Sequence, residues 1–89
     1  MTWTIEFQES ARKDLRRLSP PDAQRILRFL RERIAPANDP RMIGKPLTGG
    51  LAVYWRYRVG SYRILCEVFP GSRSIRVRKI AHRSEVYER

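Results

Sequence analysis

The chain has 89 residues, of which 19 are Lys or Arg and 9 are Asp or Glu, so its formal net charge is +10. This length predicts one domain over residues 1–89. The single cysteine excludes an internal disulfide framework and a cysteine-rich zinc site. No apolar run approaches the roughly 20 residues of a membrane span, and the N-terminus lacks a signal-peptide layout. We therefore expect a soluble, cytoplasmic protein without membrane contacts.

The first half of the chain predicts a strand followed by a helical hairpin. Residues 2–7 alternate apolar and polar side chains, which is the period of a strand, and the following residues change to helical spacing. A second helix starts where Ser19 can be the N-cap, Pro20 suits the first helical position and Asp22 places a carboxylate in the first turn. Its predicted buried stripe consists of Ala23, Ile26, Leu27, Leu30 and Ile34.

The second half predicts an antiparallel meander, because three alternating segments are separated by two turn signals. The third segment, residues 74–81, loses its alternation at Lys79 and Ile80, which indicates a β-bulge. The fold class is therefore α+β: an N-terminal strand, a helical hairpin and a three-stranded antiparallel meander, forming one sheet with the helices packed on one face. The three segments are residues 51–59, 62–69 and 74–81, with turns at residues 60–61 and 70–72.

The basic excess is concentrated on the predicted strands. Residues 51–89 contain nine basic and three acidic side chains, whereas residues 1–50 contain ten and six. Arg56 and Arg58 share one face of their strand, as do Arg76 and Arg78. Basic groups among aromatic rings suit RNA, whose phosphates need charge and whose bases need a stacking surface. A solvated strand face that binds nothing is the alternative interpretation.

Two single residues, His82 and Tyr87, could carry chemistry, whereas the cysteine is expected not to. His82 is the one histidine, a residue type suited to proton transfer near neutral pH, and without a second soft ligand it predicts no metal site. The phenolate of Tyr87 would be favoured by neighbouring guanidinium groups. Cys66 alternates with apolar neighbours, so we expect a buried apolar residue rather than a nucleophile.

Two segments resemble the RelE/ParE superfamily of bacterial and archaeal toxins. They are Tyr-Arg-Val-Gly-Ser-Tyr-Arg-Ile-Leu at residues 57–65 and Val-Arg-Lys-Ile-Ala-His-Arg-Ser-Glu-Val-Tyr at residues 77–87. Residues 7–15 and Lys-Pro-Leu at residues 45–47 also fit, so the resemblance covers nearly the whole chain. It implies the RelE-like microbial RNase fold and a toxin of a type II toxin–antitoxin system.

RelE-type toxins are ribosome-dependent endoribonucleases that cut mRNA in the ribosomal A site, whereas ParE-type toxins poison DNA gyrase. The RelE-like branch implies chemistry without metal or cofactor. The ribose 2′-OH attacks the adjacent phosphate and yields a 2′,3′-cyclic phosphate and a 5′-OH. Either branch implies a cognate acidic antitoxin, through which the complex would bind operator DNA. A ParE-type gyrase inhibitor without nuclease activity, and an RNA-binding module without chemistry, are the alternatives.

The resemblance also implies roles for single residues. Arg63 matches the family's catalytic arginine, which would stabilise the phosphorane. Tyr87 matches the C-terminal tyrosine, which would orient or deprotonate the 2′-OH or stack on a base. His82 is the candidate proton donor to the 5′-oxygen, with Arg83 beside it in the catalytic group, and the His82–Tyr87 pair favours the nuclease over the gyrase inhibitor. The expected RNA- and phosphate-binding residues are Arg56, Arg58, Arg78, Lys79 and Lys45.

Overall fold

A computed structural model describes residues 2–47 and 54–83. The elements are β1 (Thr4–Phe7), α1 (Glu9–Arg17), α2 (Pro20–Phe29) continued by a π-helical turn (Leu30–Ile34), a 3-10 turn (Pro40–Met42), β2 (Lys45–Pro46), β3 (Tyr54–Val59), β4 (Tyr62–Phe69), a second 3-10 turn (Pro70–Ser72) and β5 (Ser74–His82). The five strands form one sheet in the order β1-β5-β4-β3-β2. Strand β1 runs parallel to β5, and the other neighbours are antiparallel.

This architecture confirms the predicted α+β class, the helical hairpin and the antiparallel meander. The sequence did not predict the short edge strand β2 or the parallel pairing of β1 with β5. Residues 51–53 of the predicted meander and residues 84–89 of the tail lie outside the described residues. No helix in the described ranges is long and apolar enough to cross a membrane.

The second helix begins where its sequence predicts. The hydroxyl of Ser19 accepts a hydrogen bond from the backbone N–H of Asp22 at 3.4 Å, and Pro20 occupies the first helical position. This cap satisfies one of the N–H groups that a helix start leaves unpaired. Of the predicted stripe, Ile26 is fully buried and Leu30 and Ile34 continue into the core, whereas Leu27 is 37% exposed.

One face of the sheet packs against both helices and forms the core. Cys66 lies in this layer and is fully buried, which confirms the prediction of a packed apolar residue. Fully burying one large aliphatic or aromatic side chain contributes about 1.5–3 kcal/mol, so this layer supplies most of the stability. The buried strand residues are Tyr57, Val59, Ile64, Cys66, Val68, Ile75, Val77 and Ile80, and the helical segments add Ala11, Ile26, Leu30 and Ile34.

A β-bulge in β5 changes the face that each of its residues occupies. The register pairs Cys66 with Val77 and Leu65 with Lys79, which leaves Arg78 as the extra residue. Odd-numbered residues of β5 face the helices before the bulge, and even-numbered residues face them after it. Arg78 and Lys79 therefore project in succession from the face that is turned away from the helices, which we call the open face.

Helix α1 holds this bulge in place through two side chains. The hydroxyl of Ser10 donates to the carbonyl of Arg78 at 2.6 Å, and the backbone N–H of Ile80 donates to the carboxylate of Asp14 at 2.8 Å. These bonds satisfy backbone groups next to the interrupted ladder, and buried backbone groups are costly to leave unpaired. The predicted bulge at Lys79–Ile80 is thus confirmed, with its extra residue one position earlier.

The loop before β2 approaches β3 closely enough to require glycine. Gly44 has a φ of 76°, and a Cβ there would collide with the carbonyl oxygen of Arg56 and the ring of Tyr57. Two hydrogen bonds fix the loop: the indole N–H of Trp55 donates to the Ile43 carbonyl at 2.7 Å, and the Tyr57 hydroxyl donates to the Pro40 carbonyl at 2.8 Å. The strand that follows this loop is thereby aligned with β3.

Candidate nucleic-acid interface

The open face arranges its side chains in rows that run across the strands. Neighbouring strands are about 4.8 Å apart, and successive rows on one face are about 7 Å apart. One row contains Lys45, Arg56, Leu65 and Lys79, and the next contains Arg58, Arg63 and Ala81. We call their five charged residues, Lys45, Arg56, Arg58, Arg63 and Lys79, the cationic patch. It brings together five of the predicted site residues.

The cationic patch contains positive charge without a balancing acid. None of the ion pairs among residues 2–47 and 54–83 involves any of its members. Arg58 and Arg63 are direct cross-strand partners, and like charges in that position destabilise a sheet. The Nε of Arg63 is buried and has no acceptor among the described residues. A bound anion would relieve both conditions, so the geometry suits phosphate groups.

The adjacent row is neutralised internally. Its members, Glu6, Arg76, Glu67 and Tyr54, are in register from β1 to β3. Glu67 forms ion pairs with Arg76 at 3.7 Å and with Arg78 at 3.3 Å. Arg78, which the sequence predicts to bind phosphate, is therefore already held by a carboxylate and stands apart from the cationic patch.

The structure does not bring His82 together with Arg63. The imidazole packs edge to face on the ring of Tyr62, at 5.3 Å between centroids and 88° between planes. Tyr62 in turn donates to the carboxylate of Asp22 on α2 at 3.0 Å, which places both rings on the helix side of the sheet. The bulge is the physical reason, since it shifts the alternation of β5 by one residue.

Arg83 follows β5 directly and lies beside the turn between β3 and β4. Its backbone N–H donates to the Ser61 carbonyl at 2.7 Å, and its side chain is exposed. In that turn Gly60 has a φ of 58°, and a Cβ there would stand about 3 Å from the guanidinium of Arg25. Tyr87, the remaining predicted catalytic residue, lies outside the described residues, so its role stays a prediction.

Two other ionisable groups are unsuited to chemistry because they are buried. Burial raises the pKa of the Cys66 thiol far above its usual value, so the thiolate nucleophile is not formed near neutral pH. Burial likewise raises the pKa of the Tyr57 hydroxyl. Within the described ranges, no three His, Cys, Asp or Glu side chains are grouped as metal ligands.

A second surface, which the sequence did not predict, lies on the helix side between β1 and α2. It is an apolar groove of about 320 Å³. Leu27 is partly exposed at its rim, and β1 forms the edge of the sheet. The alternating apolar residues of β1 are the sequence feature that relates to this groove, but alternation alone predicts only that they pack into the core. The groove is lined by Trp3, Ile5, Phe7, Leu27, Leu30, Arg31 and Ala35.

Comparisons with known proteins cover nearly all of the chain. Residues 5–87 match the family described as the ParE toxin of type II toxin–antitoxin systems, parDE. The chain is 29% identical to Toxin RelG of Mycobacterium tuberculosis over 89 residues, which cover both proteins completely.

Two solved structures have the same fold. The toxin–antitoxin complex RelBE2 of Mycobacterium tuberculosis contains a chain that matches with a TM-score of 0.82 and 27% identity, over 92% of this chain and 99% of that one. The archaeal RelE–RelB complex of Pyrococcus horikoshii matches with a TM-score of 0.73 and 27% identity, over 97% and 100%. Both alignments extend well beyond any single motif.

Proposed function

Because the chain belongs to the ParE toxin family of type II toxin–antitoxin systems, within the RelE/ParE superfamily, we propose that it acts as a ribosome-dependent endoribonuclease on mRNA. The cationic patch is the observation that carries this proposal. Five cations on one sheet face, without an acid partner among the described residues, suit a polyanion that crosses the sheet. The similarity to RelE-type proteins supports RNA as that polyanion.

In the proposed reaction the ribose 2′-oxygen attacks the adjacent phosphorus and the bond from phosphorus to the 5′-oxygen breaks. The 2′-hydroxyl loses its proton, the 5′-oxygen gains one, and the products are a 2′,3′-cyclic phosphate and a 5′-OH. Negative charge builds up on the phosphorane oxygens in between. Arg63, flanked by Arg58, supplies preorganised donors for that charge, which is where electrostatic stabilisation accelerates a reaction. These cations would make the reaction independent of added metal.

We assign the proton donor for the 5′-oxygen to Lys79 instead of His82. Lys79 is exposed on the open face, in the row next to Arg63, whereas the His82 ring lies on the helix side. A lysine ammonium releases a proton more readily than a guanidinium, which stays charged. Tyr87 would remove or orient the 2′-proton, and Arg83 would bind the phosphate.

The donor role is tested with Lys79→Arg, which keeps the charge and removes the more acidic proton. We expect ribosome-dependent cleavage to slow by at least about tenfold, within the range for a general acid, while RNA affinity stays within a factor of two. Lys45→Arg is the matched control, since it makes the same exchange elsewhere in the cationic patch. Equal cleavage rates in the two variants would remove Lys79 from the mechanism.

The reaction itself is tested by inducing the protein and mapping mRNA ends, and by incubating purified protein with programmed ribosomes. We expect new mRNA ends at positions occupied by the A site, with a 2′,3′-cyclic phosphate on the upstream fragment. Intact mRNA during growth arrest would contradict the proposal.

Inhibition of DNA gyrase is the second candidate function. The family that matches the chain is described as the ParE toxin. In addition, His82, one of the two residues that favoured a nuclease, has its ring on the helix side and away from Arg63. A gyrase supercoiling assay separates the candidates, because only a ParE-type toxin would stop supercoiling at concentrations that leave mRNA intact.

We further propose that a cognate acidic antitoxin binds the apolar groove and, through its own DNA-binding part, links the complex to operator DNA. The relatives above were solved as toxin–antitoxin complexes. Leu27 presents apolar surface at the groove, Arg31 adds a positive rim, and the edge of β1 can accept an added strand. An acidic segment with apolar anchors matches all three features.

The groove assignment is tested by co-purification with the antitoxin encoded next to the toxin gene. Leu27→Asp should weaken the complex by at least about tenfold, since it places a charge in the apolar contact. Met42→Asp, at a residue that is 83% exposed and away from the groove, is the control and should leave the complex intact. Equal affinity of the two variants would locate the antitoxin elsewhere.

A further inference from the structure

Glu67 is the buried carboxylate of the open face. It is 9% exposed, and it lies two residues along β4 from Leu65, just beyond the cationic patch. An ionised carboxylate in such a place is costly unless cations or hydrogen-bond donors compensate it. The cationic neighbours of Glu67 provide this compensation.

Two guanidinium groups are held by this carboxylate. Its Oε2 lies 3.3 Å from Nη1 of Arg78, and its Oε1 lies 3.7 Å from Nη1 of Arg76. The same Nη1 of Arg78 donates to the hydroxyl of Tyr54 at 3.0 Å, and the Arg78 guanidinium also stands 5.5 Å from the centre of the Tyr54 ring. Arg76 stands 5.5 Å over the ring of Phe69. Arg78 is thus held by the carboxylate and by Tyr54, whereas Arg76, whose side chain is about half exposed, makes the longer ion pair and the contact with the Phe69 ring.

We propose that Glu67 is a positioning residue that sets the boundary of the RNA-contacting surface by holding Arg76 and Arg78 out of it. The proposal rests on the proposed function, because it places RNA along the open face. The RNA footprint then covers the cationic patch and ends between the row of Leu65 and the row of Glu67.

Charge balance explains why the boundary falls there. The cationic patch has five positive charges, whereas Glu6, Glu67, Arg76 and Arg78 together are neutral. A phosphate that recruits Arg78 must displace Glu67, which leaves a buried carboxylate without its partner, and such a loss is strongly unfavourable. A polyanion is therefore attracted to the cationic patch, whereas the neutral row beside it adds no net attraction.

The experiment compares Glu67→Gln with Glu6→Gln, because each raises the net charge by one. Glu6 is in register with Arg76 but forms none of the ion pairs found among the described residues. Binding of fluorescein-labelled oligouridylates of increasing length is measured by anisotropy over a series of KCl concentrations, and thermal melts verify that each variant is folded.

Glu67→Gln should steepen the dependence of log Kd on log[KCl] by about 0.7 for each arginine that joins the footprint, hence by about 0.7–1.4. The length at which affinity stops rising should also increase by at least one nucleotide. Glu6→Gln should leave both quantities at the wild-type values. A role of Glu67 in stability alone would lower the melting temperature without steepening the salt dependence.

A second variant keeps the proposal falsifiable if Glu67→Gln is poorly folded. Arg78→Gln removes a guanidinium that we place outside the footprint, so the slope of log Kd against log[KCl] should equal that of the wild type. A shallower slope in Arg78→Gln, or identical salt dependence in Glu67→Gln and Glu6→Gln, overturns the boundary role. Wild-type protein that binds no oligouridylate, or whose binding does not depend on salt, would instead contradict the proposed function.

Discussion

The two faces of the sheet are built from alternate residues of the same strands and have opposite properties. On β4, Ile64 and Cys66 are fully buried against the helices, whereas Arg63 and Leu65 belong to the open face. The helix side contains the apolar core, and the open side contains five cations without an acid partner among the described residues. The apolar core and the cationic patch are thus built from adjacent residues of the same strands.

Which residues of a strand face the helices, and which face away from them, therefore decides the composition of the open face. A shift of one residue exchanges the two faces, and the bulge at Arg78 makes such a shift within β5. It turns Lys79 to the open face and His82 to the helix side. The hydrogen bonds from Ser10 and to Asp14 secure this shift, so helix α1 determines which side chains of β5 the open face presents.

Removing the central cation of the open face should have the largest effect. We expect Arg63→Ala to slow ribosome-dependent cleavage by about 10²–10³-fold, the cost of losing a preorganised donor at developing charge, and to relieve growth arrest. Arg16→Ala, which removes an exposed helical arginine of the same charge, is the control and should remain toxic. Full toxicity of Arg63→Ala would show that the open face is not the active surface.

Disturbing the bulge should affect both faces. Asp14→Ala leaves the N–H of Ile80 without its acceptor, and we expect a loss of about 1–3 kcal/mol in the free energy of unfolding, measured by urea denaturation, together with slower cleavage. Asp14→Asn keeps an acceptor oxygen and should retain most of the stability. If Asp14→Ala is as stable as the wild type, the helix does not secure the bulge.

High pH should destabilise the protein through two buried groups on the helix side of the sheet. The folded chain keeps the Cys66 thiol and the Tyr57 hydroxyl protonated because burial raises their pKa values. The unfolded chain loses these protons from about pH 9 upward, so it binds fewer protons there and stability falls as pH rises.

The expected slope is about 1.4 kcal/mol per pH unit for each group. Urea denaturation between pH 7 and 11 measures it. Cys66→Ala should show a shallower loss that begins near pH 10, where tyrosine ionises. An identical pH dependence in Cys66→Ala and the wild type would refute the role of the thiol.

The smallest effect should come from the edge of the cationic patch. Lys45 lies on the two-residue strand β2 and is exposed, so Lys45→Ala should reduce the salt dependence of RNA binding by about 0.7 in the slope of log Kd against log[KCl]. Lys13→Ala, which removes an exposed lysine from α1, should leave the slope unchanged. If Lys45→Ala and Lys13→Ala have equal slopes, Lys45 does not contact the RNA and lies outside the footprint.

Local patterns were sufficient for most of the fold. The cap at Ser19, the helical hairpin and the alternation of the last strands follow from neighbouring residues, and all are present. The parallel pairing of β1 with β5 and the pairing of β2 with β3 depend on contacts between distant segments, which no local period reveals.

The sequence predicted which basic residues form the candidate site but not their full arrangement in space. Arg56 and Arg58 were expected together because strand alternation places them on one face, and they are together, with Arg63 opposite Arg58 on the next strand. The ion pair of Arg78 and the face of His82 were not predicted, for two reasons. Ion pairing with Glu67 depends on cross-strand register, and the face of His82 depends on a bulge that α1 secures from more than 60 positions away in sequence.

The pairing of β1 with β5 also affects the order in which parts of the fold form. Thr4 lies beside Ser74 and Phe7 beside Val77, so about 70 residues separate the partners along the chain, and contacts of such long range form late in folding. During synthesis the helical hairpin can form locally, but the cationic patch lacks Lys79 until β5 exists. The ribosome that makes this toxin therefore carries, until residue 79 has been added, a chain whose cationic patch is incomplete.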